Sequence, residues 1–285
     1  MLLQYHIMVV DLRKGVEFSE LSIMQRIMED RNTPIFREQD LRSITWQVLS
    51  VYRNNFSKFL ILTLAGMLPV LLISYFAGTG LFGIAVVAFI ELLVITVLAG
   101  AFIYSVPYYY VNRKVNLRTS LKASQAVYFK LLGVTFGLQI VALILLALGP
   151  VFPLLIVPFG AALLYMIYFV VTQPVVVIER QKPMDAFKRS LSLVRGNWWR
   201  VFGSISILML TVLGIGVLTW LPFFLIALAI PEGSELRGFI QQIGVYAGGI
   251  LTVPPVYIFL TVLYYDLRYR KEDFSFEQLS DEISH

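Results

Sequence analysis

Glu91 is the residue whose type and surroundings point most directly to chemistry. It interrupts an apolar run, with Val86–Ile90 before it and Leu92–Ile95 after it. A carboxylate at that depth of a membrane is costly unless it faces the bundle interior, a partner or water, or stays protonated. Two readings stay open. One is an ion, proton or cationic-substrate site. The other is a neutral Glu91 hydrogen-bonded to Gln139, Thr135, Thr96 or a tyrosine on a neighbouring helix, which would serve specific packing.

A second group is cationic and aromatic: Arg189, Arg195 and Arg200 with Trp198 and Trp199. Guanidinium forks match phosphate oxygens, and indoles favour the membrane–water interface. These five residues are therefore expected to contact lipid head groups, with plain interfacial anchoring as the alternative.

Other chemistries lack their residues. The chain has no Cys and two His, His6 and His285, one near each end. Thiol nucleophiles, disulfides and Cys-based metal sites are excluded, and a His-centred acid–base or metal site is not expected. There is no nucleotide-binding glycine loop, no His-Glu-x-x-His and no Gly-x-Ser-x-Gly. Neither an enzyme nor a cofactor is expected. The net charge of +5 falls beside apolar stretches and is explained by attraction to anionic lipid, so nucleic acid is not expected as a partner.

These groups need a membrane scaffold to hold them. Hydrophobic residues make up 58% of the chain, against roughly 45–50% in soluble domains. A span takes about 20 apolar residues. Stretches 59–112 and 131–178 each hold two spans, and 201–231 and 238–265 one each. The prediction is an all-α polytopic fold with six transmembrane helices as three hairpins, at about 59–77, 81–106, 131–149, 154–174, 201–221 and 239–265. Pro107 is expected to stop the second span, Pro150 and Pro153 to make a turn, and Pro222–Ile230 to form a re-entrant or interfacial segment. Residues 1–40 read as a cytosolic lead-in with a short helix through Phe18–Met28, residues 41–272 as the membrane domain and 273–285 as a cytosolic tail.

Of the 23 Lys and Arg, only Arg237 falls in a connection predicted to face outward. By the positive-inside rule both termini are then cytosolic. A basic amphipathic interfacial helix is expected before each hairpin. Ser50-Val51-Tyr52-Arg53-Asn54-Asn55-Phe56 parallels Ser192-Leu193-Val194-Arg195-Gly196-Asn197-Trp198, and Ser124–Lys130 is a weaker third copy. Gly133-x-x-x-Gly137 and Gly244-x-x-x-Gly248 are expected to seat neighbouring helices of the same chain.

Pro183–Arg200 and Leu263–Glu272, together with Leu41–Pro69, resemble a prokaryotic family: the membrane domain associated with glycerophosphoryl diester phosphodiesterases. The likeness covers roughly residues 38–275. It implies a six-span fold in the plasma (inner) membrane of a prokaryote, in a stand-alone member. In fused members the phosphodiesterase activity belongs to a further soluble domain, so no catalytic residue carries over. The expectation is a non-enzymatic multi-pass protein, a lipid-contacting scaffold or accessory component. Its partners would be anionic phospholipid and possibly a membrane protein. The alternative is a small transporter with its site at Glu91.

Overall fold

The computed structural model describes residues 40–78, 80–112, 114–148, 156–275, 278, 279 and 282. The expected lead-in helix at Phe18–Met28 and the turn at Pro150 and Pro153 lie outside them. The described residues are helical: α1 Leu41–Asn54, α2 Phe56–Ala77, α3 Leu81–Asn112, α4 Leu117–Leu148, α5 Ile156–Phe169, α6 Thr172–Ile178, α7 Pro183–Val194, α8 Trp198–Leu228 and α9 Glu235–Glu272. No strand occurs among them.

Six segments are long and apolar enough to cross a membrane: α2, α3, Leu117–Ile144 of α4, Gly160–Ile178 across α5 and α6, α8 and α9. Only 22% of the apolar window of α3 is buried inside the protein. The chain therefore leaves far more apolar surface uncovered than water tolerates, and hydrocarbon must cover it. The protein is an all-α, multi-pass membrane protein.

Two of the three sequence copies share a backbone device. Asn55 (φ −126°, ψ 19°) precedes α2, and Asn197 (φ −116°, ψ 20°) precedes α8. At each, the asparagine carbonyl accepts the first amide bond of the following helix, from Phe59 at 3.1 Å and from Val201 at 3.0 Å. Asparagine and glycine favour such breaks because they tolerate non-helical backbone. The third copy has Tyr128-Phe129 at the places of Asn54-Asn55 and Gly196-Asn197, and α4 runs unbroken from Leu117 to Leu148. The separate helix expected there does not form.

Other boundaries also move. Helix α3 passes through Pro107 to Asn112, and α8 passes through Pro222 to Leu228, so the predicted stop and the re-entrant segment are both replaced by continuous helix. The fourth span breaks instead, at Val170-Val171. Pro174 has no amide to donate to the Val170 carbonyl, which weakens the helix there. Helix α9 outruns its predicted end and reaches Glu272, with Glu235 in its first turn and Arg270 and Lys271 in its last, charges that complement the helix dipole.

Helices α8 and α9 pack antiparallel through small residues. A Cβ on Gly248 would lie 2.8 Å from the Thr219 hydroxyl, and one on Gly244 would lie 3.0 Å from Phe223. Helices α3 and α4 are drawn together at Gly100, whose absent Cβ would sit 2.3 Å from the Ser124 hydroxyl. Helix α1 lies across the bundle: Leu41 reaches Gly203 of α8, Tyr52 reaches Leu251 of α9 and Asn54 reaches Tyr109 of α3.

Candidate functional site

Helices α2, α3 and α9 separate around a cavity of about 1220 Å³. Its face on α3 is Ile84, Val87, Ala88, Glu91 and Ile95, a row of three- and four-residue steps along one side of the helix. Helix α9 contributes the matching row Phe239, Gln242, Tyr246, Gly249 and Val253. Gly244 and Gly248 hold α9 against α8, on the far side from this row, while nothing lies within 4 Å of where a Gly249 Cβ would be. Close packing on one flank thus accompanies open space on the other.

Glu91 lies about 15 Å along α3 from Leu81, at 1.5 Å per residue, and is exposed to the cavity. Tyr246 of α9 and Ser74 of α2 line the same cavity as Glu91. Among the described residues the only Lys or Arg lining the cavity is Arg237, at the rim, where it pairs with the exposed Glu232 at 3.5 Å. Tyr75 and Phe239 meet across α2 and α9 with ring centroids 4.6 Å apart, forming an aromatic wall. The arrangement is a carboxylate, Glu91, in an aromatic-walled pocket that Glu235 also lines, suited to a positively charged group.

The cavity ends past Met67, Ile95 and Val253. Further along the same helices Phe59, Phe102 and Ile258 are fully buried. Phe59 packs edge-on against Phe102 and stacks with Tyr52. The Tyr52 hydroxyl donates to the Leu251 carbonyl at 3.2 Å. In an unbroken helix that carbonyl would accept from residue 255, which is Pro255 and has no amide. Helix α1 therefore satisfies a carbonyl that the proline in α9 leaves open.

A tyrosine of a neighbouring helix, Tyr246, does share the cavity with Glu91, whereas Thr96, Thr135 and Gln139 lie elsewhere. Thr96 donates to its own helix at Leu92, and five residues separate it from Glu91, which turns it well off the cavity face. Thr135 donates to Leu131 and accepts from Gln173 at 3.0 Å, within the packing of α4 on α6. Gln139 is exposed on α4. Sequence reasoning missed Ser74, Gln241 and Gln242 and did not single out which tyrosine; the two adjacent glutamines inside an apolar stretch were the available signal.

At the opposite end of α9 the charges are compensated. Arg189 of α7 holds Glu179 at 3.0 Å and makes a two-pronged pair with Glu272, whose second contact is 2.9 Å. Its pKa is raised further above the ordinary arginine value, first by the hydrogen bond to Glu272, against the opposing effect of burial. Glu179 also accepts from Tyr264 at 2.8 Å. Arg268 reaches Glu282 at 2.7 Å and lies 3.9 Å above the ring of Phe274. Asp266, fully buried, lies between Arg200 at 2.8 Å and Arg270 at 3.2 Å. Residues 274, 279 and 282, within the expected cytosolic tail, are packed into this end of the molecule.

This network divides the group expected at lipid head groups. Arg189 and Arg200 are held by carboxylates, and Trp198 stacks on Phe202. Arg195 is exposed, and Trp199 is 76% exposed. No cluster of metal-ligating side chains occurs among the described residues. Comparison with protein-family models, with curated proteins and with solved structures finds no match to this chain.

Proposed function

We propose that this multi-pass protein is a small permease-like protein whose solute enters the cavity and meets Glu91. The observation that carries the reading is a cavity of about 1220 Å³ reaching a carboxylate within a membrane-spanning helix. Desolvating that carboxylate is unfavourable, and a cationic solute would restore the lost interaction. The aromatic wall of Tyr75, Phe239 and Tyr246 favours an organic cation over a bare metal ion. With the basic end of the molecule cytosolic, as the positive-inside rule requires, the cavity opens to the other side of a plasma membrane. Its closed inner end fits one state of an alternating cycle, and the α9 prolines with Tyr52 supply a place for it to bend.

Proteoliposomes carrying the purified chain test this with choline, tetraethylammonium and spermidine. Uptake of at least one is expected, with Glu91→Gln reducing it about tenfold or more. No uptake, or uptake untouched by the substitution, defeats the proposal. A lipid-contacting, non-enzymatic scaffold is the second reading, favoured by exposed Arg195 and Trp199. It requires neither flux nor Glu91. Two of the segments that resemble the phosphodiesterase-associated membrane domain, Pro183–Arg200 and Leu263–Glu272, contribute to the charge network, and Glu91 lies outside all of them.

A further inference from the structure

A second, smaller pocket of about 590 Å³ lies where α2 begins, α3 ends and α4 begins. We propose that it binds the phosphate of an anionic phospholipid. Lys58, Lys114 and Arg118 line it, and no Asp or Glu does among the described residues. No ion pair joins any of these three cations to a described carboxylate. Arg189 and Arg200, by contrast, each have one.

The geometry leaves donors for an anion. Lys58 donates to the Val115 carbonyl at 2.7 Å, which fixes its ammonium and leaves two of its three N–H groups for a ligand. Asn116 accepts from the Arg118 and Thr119 amides at 3.1 and 3.4 Å. Those amides at the start of α4 are thereby taken, and recognition falls to the side chains. Arg118 offers a planar fork for phosphate oxygens, and Lys114 is an exposed point charge.

A lipid rather than a soluble anion is indicated by what adjoins Lys58. Lys58, Ile61, Ala65, Leu68 and Leu72 follow one another at three- and four-residue steps on α2, and all are exposed. A head group held at Lys58 therefore has an apolar track along the same helix face for its acyl chains. Three uncompensated cations repel a choline head group and favour a lipid of net negative charge. The pocket lies apart from the Glu91 cavity, so either assignment can fail without the other.

The test is native mass spectrometry of the full chain, delipidated and titrated with phosphatidylglycerol or phosphatidylcholine. Preference for phosphatidylglycerol is expected, falling about five-fold for each cation removed in Lys114→Gln and Arg118→Gln. Both side chains are exposed, so these variants remain usable if Lys58→Gln, which loses the Val115 contact, does not fold. Arg195→Gln serves as the comparison and should change the preference less. Equal binding of the two lipids, or no loss in the double variant, overturns the site. Inorganic phosphate and glycerophosphoglycerol form the second arm. Competition by either at concentrations comparable to the lipid would assign the pocket to a soluble anion and overturn the lipid.

Discussion

Helix α9 carries charge chemistry of two kinds at its two ends. Near Tyr246 it faces Glu91 across a cavity, and among the described residues that line it the only basic one is Arg237, which pairs with Glu232. From Tyr264 to Glu272 it enters a network in which Arg189, Arg200, Arg268 and Arg270 each meet a carboxylate. A buried charge with its partner serves one arrangement of helices, since removing either member leaves the other stranded. A charge left facing open space keeps its capacity for a ligand. Stability and binding are thus assigned to different ends of one helix.

The contrast predicts a ranking. Asp266→Ala leaves Arg200 and Arg270 facing an uncompensated buried site and should destabilise the protein by about 3–5 kcal/mol. A thermal melt of the purified chain would show this as the largest fall; an unchanged melting temperature would mean the network does not hold α8 and α9 together. Gly248→Val pushes a side chain against Thr219 and should cost about 1–3 kcal/mol, whereas Gly249→Ala, facing the cavity, should cost far less in the same measurement. Similar losses for the two would contradict the one-sided packing of α9.

Tyr52→Phe removes the donor to the Leu251 carbonyl, with an expected cost of about 1 kcal/mol. Faster hydrogen exchange in α9 around Pro254 should accompany it; an unaltered exchange pattern would separate α1 from that bend. Glu91→Gln should shift stability least, within about 0.5 kcal/mol, because the side chain faces open space. If it melts like Asp266→Ala, Glu91 belongs to the packing and the distinction between the two ends of α9 collapses.

Much of the architecture was legible in the chain because hydropathy over about twenty residues is a local property. Each of the six predicted spans has a helical counterpart. Asn55 and Asn197 stand at matching places of paired motifs, and Tyr128-Phe129 at those places in the third copy, with neither Asn nor Gly, accords with the continuous α4. Proline misled at Pro107 and Pro222. In a long apolar helix one missing hydrogen bond is outweighed by the neighbouring turns, and neighbouring groups can satisfy the freed carbonyl, as Tyr52 does at Leu251.

Sequence alone determined that Glu91 stands within a span, that positive charge gathers beside the spans and that thiol chemistry is excluded. These follow from residue identity and nearest neighbours along the chain. Tertiary structure decided which side chains share a space: Ser74 and Tyr246 beside Glu91 rather than Thr96, Thr135 or Gln139, and carboxylates rather than open surface beside Arg189 and Arg200. Helix phase and the close approach of α8 to α9 fix those neighbours. Both depend on contacts between residues far apart in the chain, which no local pattern records.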